Sequence, residues 1–269
     1  MSTVLEKDKR ETELVVYHTD DVILCDRSQH MSITSPPTGL QFEREIKVGN
    51  QCTTVCCYKG YTYLGMNNGA VERIDENGMV ALAFISLPGS VASIRAHNDQ
   101  LFIQIFRNLY AKNTYQIFVY DLSGTKLYGW PSNSLGFGGY GGNKISIIND
   151  QLGKPDAENK RVTLYTSAGE VMRHIQCAEI TGNTCVSMCE CDVNSVIISC
   201  SNPAKVFKFN LTSGAVDWCN TNLTEPFTVR CYGKFVFVSG GQINKIRIFI
   251  INSETGVVLV CSYGLNHNF

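Results

Sequence analysis

The chain has 269 residues, 44% of them hydrophobic, which is enough for one large all-β domain or for two ordinary domains. Its 23 basic residues nearly balance its 24 acidic residues, so the formal charge of −1 provides no overall attraction for nucleic acid or an anionic membrane. Residues 1–11 form a polar segment without the apolar stretch of a signal peptide, and we expect a cytoplasmic protein without a membrane partner.

Short polar turns that end in glycine recur along the chain at separations of 39 to 46 residues. The glycines are Gly39, Gly78, Gly124, Gly169, Gly214 and Gly256. Self-similarity at a fixed period is the mark of a repeat architecture, so six turns predict six units.

Each unit contains segments typical of four short strands. A strand with β-branched or alternating residues precedes each glycine turn, at 31–35, 70–75, 115–121, 161–166, 205–210 and 245–250. Another strand follows the turn, as at 79–85 and 257–261. Upstream lies a second hairpin, with tight turns at Asp20-Asp21, Lys59-Gly60, Asn98-Asp99, Gly141-Gly142-Asn143, Asp192-Val193-Asn194 and Tyr232-Gly233.

Four antiparallel strands in every unit predict an all-β fold, a six-bladed β-propeller that forms one domain over residues 12–269. A blade buries both of its faces only between neighbouring blades, so the units must close into a ring. The blades are predicted at about 12–46, 52–85, 91–130, 134–177, 184–219 and 227–262.

The chain resembles six-bladed propellers of the NHL and WD40-like type. Residues 226–256 contain V-x-C-x-G, V-S-G-G, I-R-I-F and T-G in this order, which is similar to a WD40 blade. Two other blades end in a segment that is similar to the T-G-x-x-x-W turn of quinoprotein-type propellers, DLSGTKLYGW and NLTSGAVDW. The nearest comparison is the C-terminal propeller of tripartite-motif ubiquitin ligases. This resemblance implies that one face of the ring captures a substrate or partner.

The twelve cysteines include the strand CVSMCECD, Cys185 to Asp192. Alignment of the units on their first turns puts Cys57, Ala96, Cys191 and Cys231 at one equivalent position on the innermost strand, where small side chains are required. The sulfurs of one extended strand lie too far apart to surround one zinc ion. We therefore expect reduced thiols that pack the core, no metal and no cofactor, with a metal or redox site between blades as the alternative.

Two enlarged loops, 107–114 and 149–160, follow the second strands of neighbouring blades and are predicted to share the face that carries the blade-to-blade connections. We interpret them, with the glycine-rich stretch 131–143 between them, as a recognition surface for a peptide. The candidate binding residues are Arg107, Tyr110, Lys112, Phe137, Tyr140, Lys154, Asp156, Glu158 and Lys160.

No catalytic motif occurs in the sequence, and its five histidines are scattered. The sequence favours a monomeric, non-catalytic scaffold that binds a protein or peptide, such as a recognition domain of a ubiquitin-ligase-like protein. One alternative is a metal-dependent hydrolase or lactonase with calcium in the central channel, although the inner strands offer chiefly Thr, Val, Cys and Ser, which are poor calcium ligands. The other is an RNA-binding propeller, which the neutral charge balance disfavours.

Overall fold

The computed structural model describes residues 13–16, 22–25, 30–35, 41–47, 52–75, 80–109, 112–132, 144–157, 159–180, 185–223, 226–242 and 245–264. The chain forms twenty-four strands in these ranges: β1 (Glu13–Val16), β2 (Val22–Cys25), β3 (His30–Ser35), β4 (Gln41–Lys47), β5 (Cys52–Tyr58), β6 (Tyr61–Met66), β7 (Ala70–Ile74), β8 (Val80–Ser86), β9 (Ser90–His97), β10 (Gln100–Leu109), β11 (Lys112–Asp121), β12 (Lys126–Ser132), β13 (Ser146–Ile148), β14 (Gln151–Asp156), β15 (Arg161–Tyr165), β16 (Val171–Gln176), β17 (Cys185–Asp192), β18 (Ser195–Ser201), β19 (Ala204–Asn210), β20 (Val216–Asn220), β21 (Pro226–Tyr232), β22 (Phe235–Gln242), β23 (Lys245–Asn252) and β24 (Val258–Gly264). None of the described residues belongs to a helix long and apolar enough to cross a membrane.

Consecutive groups of four strands form antiparallel sheets, each with its strands in chain order. The predicted all-β propeller with four antiparallel strands per blade is therefore confirmed. The five sheets formed by β5 to β24 pack on neighbouring sheets through side chains that the structure describes. These five sheets are the blades that the structure establishes, whereas the sequence predicted six. The sheet β1–β4 is described by its strand pairing alone, and β1 lies against β5 and β21.

Four apolar clusters fill the seams between the established blades, and each takes its side chains from two adjacent sheets. The seam between the β5–β8 and β9–β12 sheets contains Tyr63, Ile94 and Leu101. The other seams are built in the same way from residues of β10 and β14, of β15 and β18, and of β18 and β22. A blade covered on both faces needs apolar residues on both sides of each strand, which explains the almost continuous burial along β18.

The first strands of neighbouring blades are also joined by side-chain hydroxyl groups. The Ile94 amide donates to Thr54 Oγ1 at 3.4 Å, and the Val229 amide donates to Ser187 Oγ at 3.5 Å. The Ser146 hydroxyl donates to the Met188 carbonyl. A short hydroxyl side chain satisfies a buried backbone group across the seam without adding bulk near the axis of the ring.

An aromatic ring from the fourth strand of one blade covers the glycine turn of the next blade. A Cβ atom added to Gly169 would lie 2.5 Å from the Trp130 indole, and one added to Gly256 would lie 2.7 Å from the Trp218 indole. Both glycines have positive φ, and Trp218 Nε1 also donates to the Ser253 carbonyl at 3.0 Å. The resemblance to the tryptophan turn of quinoprotein-type propellers thus corresponds to a real contact between blades.

The β13–β16 blade differs from the prediction. Its first strand begins at Ser146, and its first tight turn is Asn149-Asp150, with φ of 46° and 62°, whereas the sequence predicted the turn at Gly141-Gly142-Asn143. The predicted loop 149–160 therefore contains the strand β14, because an Asn-Asp pair adopts the two left-handed conformations of a type I′ turn and opens a hairpin there. Residues 133–143 lie outside the described part of the chain.

Two expectations about the cysteines are wrong. Cys52 is disulfide-bonded, so the thiols are not all reduced. Cys191 is not equivalent to Cys57 and Cys231. Those two cysteines pair with the second residue of the strand that follows them, but in the β17–β18 ladder the second residue of β18, Val196, pairs with Glu190. Cys191 is the extra residue of a β-bulge between Glu190 and Asp192, and a bulge redirects a side chain.

We expect Gly169→Ala to destabilise the fold by about 2 to 4 kcal/mol. The positive φ accounts for about 1 kcal/mol, and the collision with the Trp130 indole adds about 1 to 3 kcal/mol. Gly233→Ala is the control, because Gly233 also has positive φ but has no atom within 4 Å of an added Cβ. Equal shifts of the urea midpoint in the two variants would contradict the contact between blades.

Candidate surface at the short-turn face

The short turns of the established blades lie on one face of the ring, here called the short-turn face. The ladders put His97, Gln100 and Asp121 at the same end of one blade, so its first-to-second and third-to-fourth turns project together. The first turns at Lys59-Gly60, Asn98-Asp99 and Asn149-Asp150 have positive φ at both positions. Such tight hairpin turns are rigid, and they hold the side chains beside them in defined positions.

Contacts between these turns connect the blades around the axis. The Tyr58 hydroxyl donates to Asp99 Oδ1 at 3.4 Å, and His97 Nε2 lies 3.3 Å from Asp150 Oδ1. The Asn149 side-chain amide donates to the Val193 carbonyl. Through these three contacts the turns of four consecutive blades form a continuous rim.

Large apolar side chains are exposed on this face. Among the described residues, each exposed large hydrophobic residue lies in a short turn or within the first two strand residues that follow one: Tyr61, Leu127, Val171, Met172, Val193, Phe235, Val257 and Leu259. Val193 is 71% exposed and Phe235 is 44% exposed. Exposed apolar groups concentrated on one side of a molecule mark an interaction surface.

Carboxylates stand between the exposed apolar side chains on the blades from β9 to β20. Burial raises the pKa of Glu190, the Asn149 backbone amide lowers it, and the nearby Asp150 and Asp192 carboxylates raise it further. Asp192 is paired with Lys208, whose Nζ lies 2.9 Å from Asp192 Oδ2. Asp150 is highly exposed, so this sector of the rim is acidic and open to solvent.

Of the predicted peptide-site residues that the structure describes, Asp156 and Lys160 lie at the β14–β15 end of their blade, opposite the short-turn face. Lys154 is not on an exposed loop: it lies within β14, is 3% exposed, and its Nζ is 5.5 Å from the centre of the Tyr115 ring. Asp156 is engaged by its own turn, because Arg161 Nε donates to it at 2.9 Å and Asn159 Nδ2 donates at 2.9 Å. Lys160 is exposed in that turn.

The other predicted site residues are described only in part. Arg107 lies near the end of β10, partly buried, and Lys112 begins β11, with its side chain outside the described set. Tyr110, Phe137, Tyr140 and Glu158 lie outside the described residues. A peptide-binding role for these residues stays a prediction.

The seam beside Lys154 is unusual in polarity. Ser93 and Gln104 face each other on β9 and β10, both are fully buried, and neither side chain has a hydrogen-bond partner among the residues that the structure describes. Ser93 occupies the same ladder position as Ser187 and Thr54, whose hydroxyls bond to the next blade. The next blade begins with a first strand of only three residues, so its ladder ends before Ile145, the residue at the position of Ile94 and Val229.

The described residues contain no group of three or more His, Cys, Asp or Glu side chains arranged to hold a metal ion. Sequence reasoning missed the short-turn face, although its signal was present. Val193 lies in a predicted tight turn, and Tyr61 and Phe235 follow predicted tight turns within two residues, where a polar residue is usual.

No family model matches the chain, and no curated protein matches its sequence. Among solved structures, the chain is similar to the WD40 β-propeller domain of Doa1, with 12% identity, coverage of 97% of this chain and 85% of that chain, and a TM-score of 0.65. It is similar to a streptogramin B lyase, with 12% identity, coverage of 99% and 86%, and a TM-score of 0.68. It is also similar to virginiamycin B lyase from Staphylococcus aureus, with 13% identity, coverage of 96% and 85%, and a TM-score of 0.64.

At such low identity these similarities establish the β-propeller fold alone. WD40-like propellers and lyase propellers both share this architecture, so the fold is compatible with binding and with catalysis. No link to tripartite-motif proteins is shown, and that part of the resemblance stays a hypothesis.

We expect Ser93→Ala to leave stability unchanged or to raise it, because the variant removes a buried hydroxyl that has no partner. Ser187→Ala removes the acceptor of the Val229 amide and should cost about 1 to 3 kcal/mol. Urea unfolding of both variants provides the comparison. A clear loss of stability in Ser93→Ala would contradict an unpartnered hydroxyl and would show that a group bonds to Ser93 in the seam.

Lys154 is expected to make stability depend on pH. Burial lowers the pKa of Lys154 from 10.5 to about 8, against a smaller opposite effect of Asp156. Between pH 8 and 10.5 the unfolded chain binds more protons at this lysine than the folded chain, so its contribution to stability becomes more favourable as pH rises. The unfolding free energy of the wild type should therefore rise relative to Lys154→Met across this range.

Lys160→Met, which removes an exposed lysine from the neighbouring turn, is the control for that comparison. The two variants are measured against the wild type at matched pH values, so that titrations elsewhere in the molecule cancel. A wild-type advantage over Lys154→Met that stays constant from pH 8 to 10.5 would contradict the shifted pKa.

Proposed function

We propose that this chain is a non-catalytic, protein-binding propeller whose sheet β1–β4 closes a ring of six blades, and that its docking surface is the short-turn face. The observation that carries the proposal is the one-sided distribution of exposed apolar side chains. Folding alone does not require Val193 or Phe235 to be apolar, since both stand at hairpin turns in contact with solvent. An apolar anchor surrounded by polar groups is the usual composition of a protein interface.

The partner we propose presents an apolar side chain beside a basic residue. Val193 projects from the rim next to the carboxylate sector formed by Asp150, Glu190 and Asp192. An apolar side chain of the partner would cover Val193, and a Lys or Arg beside it would lie against the carboxylates. Opposite charges of this kind guide association and fix its register, so complex formation should weaken as salt increases.

The similarity to WD40 propellers supports a binding role, and the tripartite-motif resemblance adds a hypothesis about the partner, namely a component of the ubiquitin system. The metal-dependent hydrolase and the RNA-binding propeller remain alternatives without a specific observation in their favour. For this reason the test compares two faces of one protein instead of searching for a reaction.

The test uses the purified chain as immobilised bait, with Val193→Asp and Phe235→Ser as variants. Both residues are exposed, so the variants should fold with an unchanged melting temperature. Partners recovered by the wild type and identified by quantitative mass spectrometry should fall at least about tenfold with each variant, because an apolar anchor is commonly worth more than 1.4 kcal/mol.

Thr221→Asp is the matched control, because it adds the same charge to an exposed connection on the opposite face. It should leave the recovered proteins unchanged. Recovery lost only in Thr221→Asp would overturn the proposal, and so would equal recovery with all variants. Sedimentation of the wild type adds a further test, since a dimer that Val193→Asp dissociates would show that a second copy of this chain covers the face.

A further inference from the structure

Three thiols from two blades meet at the short-turn face. Cys231 on β21 faces the preceding blade, and its Sγ lies 3.6 Å from the Sγ of Cys189 on β17. Cys191 packs against the same cluster as Cys189 and Cys231, and its side chain also hydrogen-bonds to Cys231. Thiols of two first strands therefore form one cluster across the seam.

The groups around the cluster favour a thiolate at Cys191. The hydrogen bond from Cys231 lowers the pKa of Cys191 to about 7 against the effect of burial, with further lowering by the Lys208 ammonium and the Ser253 hydroxyl. Asp192 acts in the opposite direction, but its carboxylate is paired with Lys208, which also lies 4.0 Å from Asp217. Hydrogen bonding to Cys189 and Cys191 and burial raise the pKa of Cys231, which thus keeps its proton, accepts from the Cys189 thiol and donates to Cys191.

Partial exposure together with a lowered pKa distinguishes Cys191 from the other free thiols. Cys177 and Cys200 are buried, and although Cys57 is partly exposed and Cys219 is exposed, burial raises the pKa of Cys57 to about 12 and also raises the pKa of Cys219. Burial raises the pKa of Cys177 to about 11, so that thiol is a structural one. A partly exposed thiolate beside a second thiol, with a cation close by, is the environment of a reactive cysteine.

Beyond the docking function, and independently of it, we propose that Cys191 and Cys231 are a reversible redox dithiol that closes to a disulfide between blades on reaction with a small disulfide such as oxidised glutathione. The Cys191 thiolate attacks one sulfur of glutathione disulfide, forms a mixed disulfide and releases one glutathione thiolate. Cys231 then loses its proton to solvent and attacks the Cys191 sulfur, and the second glutathione leaves. In total, two protein thiols are oxidised by two electrons, and one glutathione disulfide becomes two glutathione molecules.

The geometry is compatible with this closure. A disulfide requires an S–S distance of about 2.05 Å, so the Cys191 and Cys231 sulfurs must move closer together than hydrogen-bond contact. Cys191 lies in a bulge and has no ladder partner, so its backbone can move without breaking a strand pair. Cys189 lies within the regular ladder opposite Ile197, which makes Cys191 rather than Cys189 the partner of Cys231.

The test takes the full chain with its free thiols reduced and the Cys52 disulfide intact, equilibrates it in glutathione buffers of increasing oxidised fraction at pH 7.5, blocks the remaining thiols with N-ethylmaleimide and measures the intact mass. The wild type should lose two labels together and regain them when it is returned to reduced glutathione. Cleavage after Glu190 separates Cys189 from Cys191, and the linked peptides should contain Cys191 and Cys231. A link between Cys189 and Cys231, or no loss of labels, would overturn the proposal.

Cys231→Ser should abolish the paired loss of labels and leave a mixed disulfide at Cys191. The control is Cys219→Ser, which removes an exposed free cysteine. It should behave as the wild type, with one label fewer. Lys208→Met keeps all thiols and should slow alkylation of Cys191 by iodoacetamide at pH 7 by at least about threefold, since it removes the nearby cation. An unchanged alkylation rate, or one zinc ion per chain in the purified protein, would contradict a redox dithiol.

Discussion

The structure depends on the contact between the first strands of neighbouring blades. A four-stranded sheet with apolar residues on both faces is stable only when both faces are covered, and near the axis the cover must come from narrow side chains. Thr54 and Ser187 meet this requirement, because each hydroxyl satisfies a backbone amide of the next blade without occupying much volume. The apolar clusters farther from the axis and the aromatic rings over the glycine turns extend the same seams outward.

This constraint also makes the seams unequal. The first strand β13 is short, and in the seam beside it Ser93 and Gln104 are buried without a partner among the described residues, with the charged Lys154 buried in the same seam. In the seam between β17 and β21, the extra residue of the bulge adds a thiol where the other first strands have a regular ladder. Buried polar and reactive groups are therefore found where a blade departs from the repeat. Functional or strained sites are the places where a sequence is expected to break the regular pattern of its fold.

The repeat and its turns could be read from the sequence because glycine turns and alternating strands are local signals. The Asn98-Asp99 turn was recognised, but the same pair at Asn149-Asp150 was not, since the glycines upstream gave a stronger signal and moved the predicted hairpin. The position of Cys191 was wrong because a bulge changes the register without a clear mark in the sequence. The burial of Lys154 depends on how two blades meet, and single-strand periodicity does not contain that information.

The proposed docking surface and the thiol cluster occupy neighbouring positions for a physical reason. Strand ends on the short-turn face combine rigid turns with partial access to solvent, so side chains there are held in place and can still be reached by a partner or a reagent. Val193 follows Cys191 by two residues, and Phe235 follows Cys231 by four. A covalent link between Cys191 and Cys231 would cross the seam on which both exposed apolar residues stand, and it would fix the spacing of the two blades that carry them. Closure of the proposed disulfide would thus act on the shape of the surface through the same two turns.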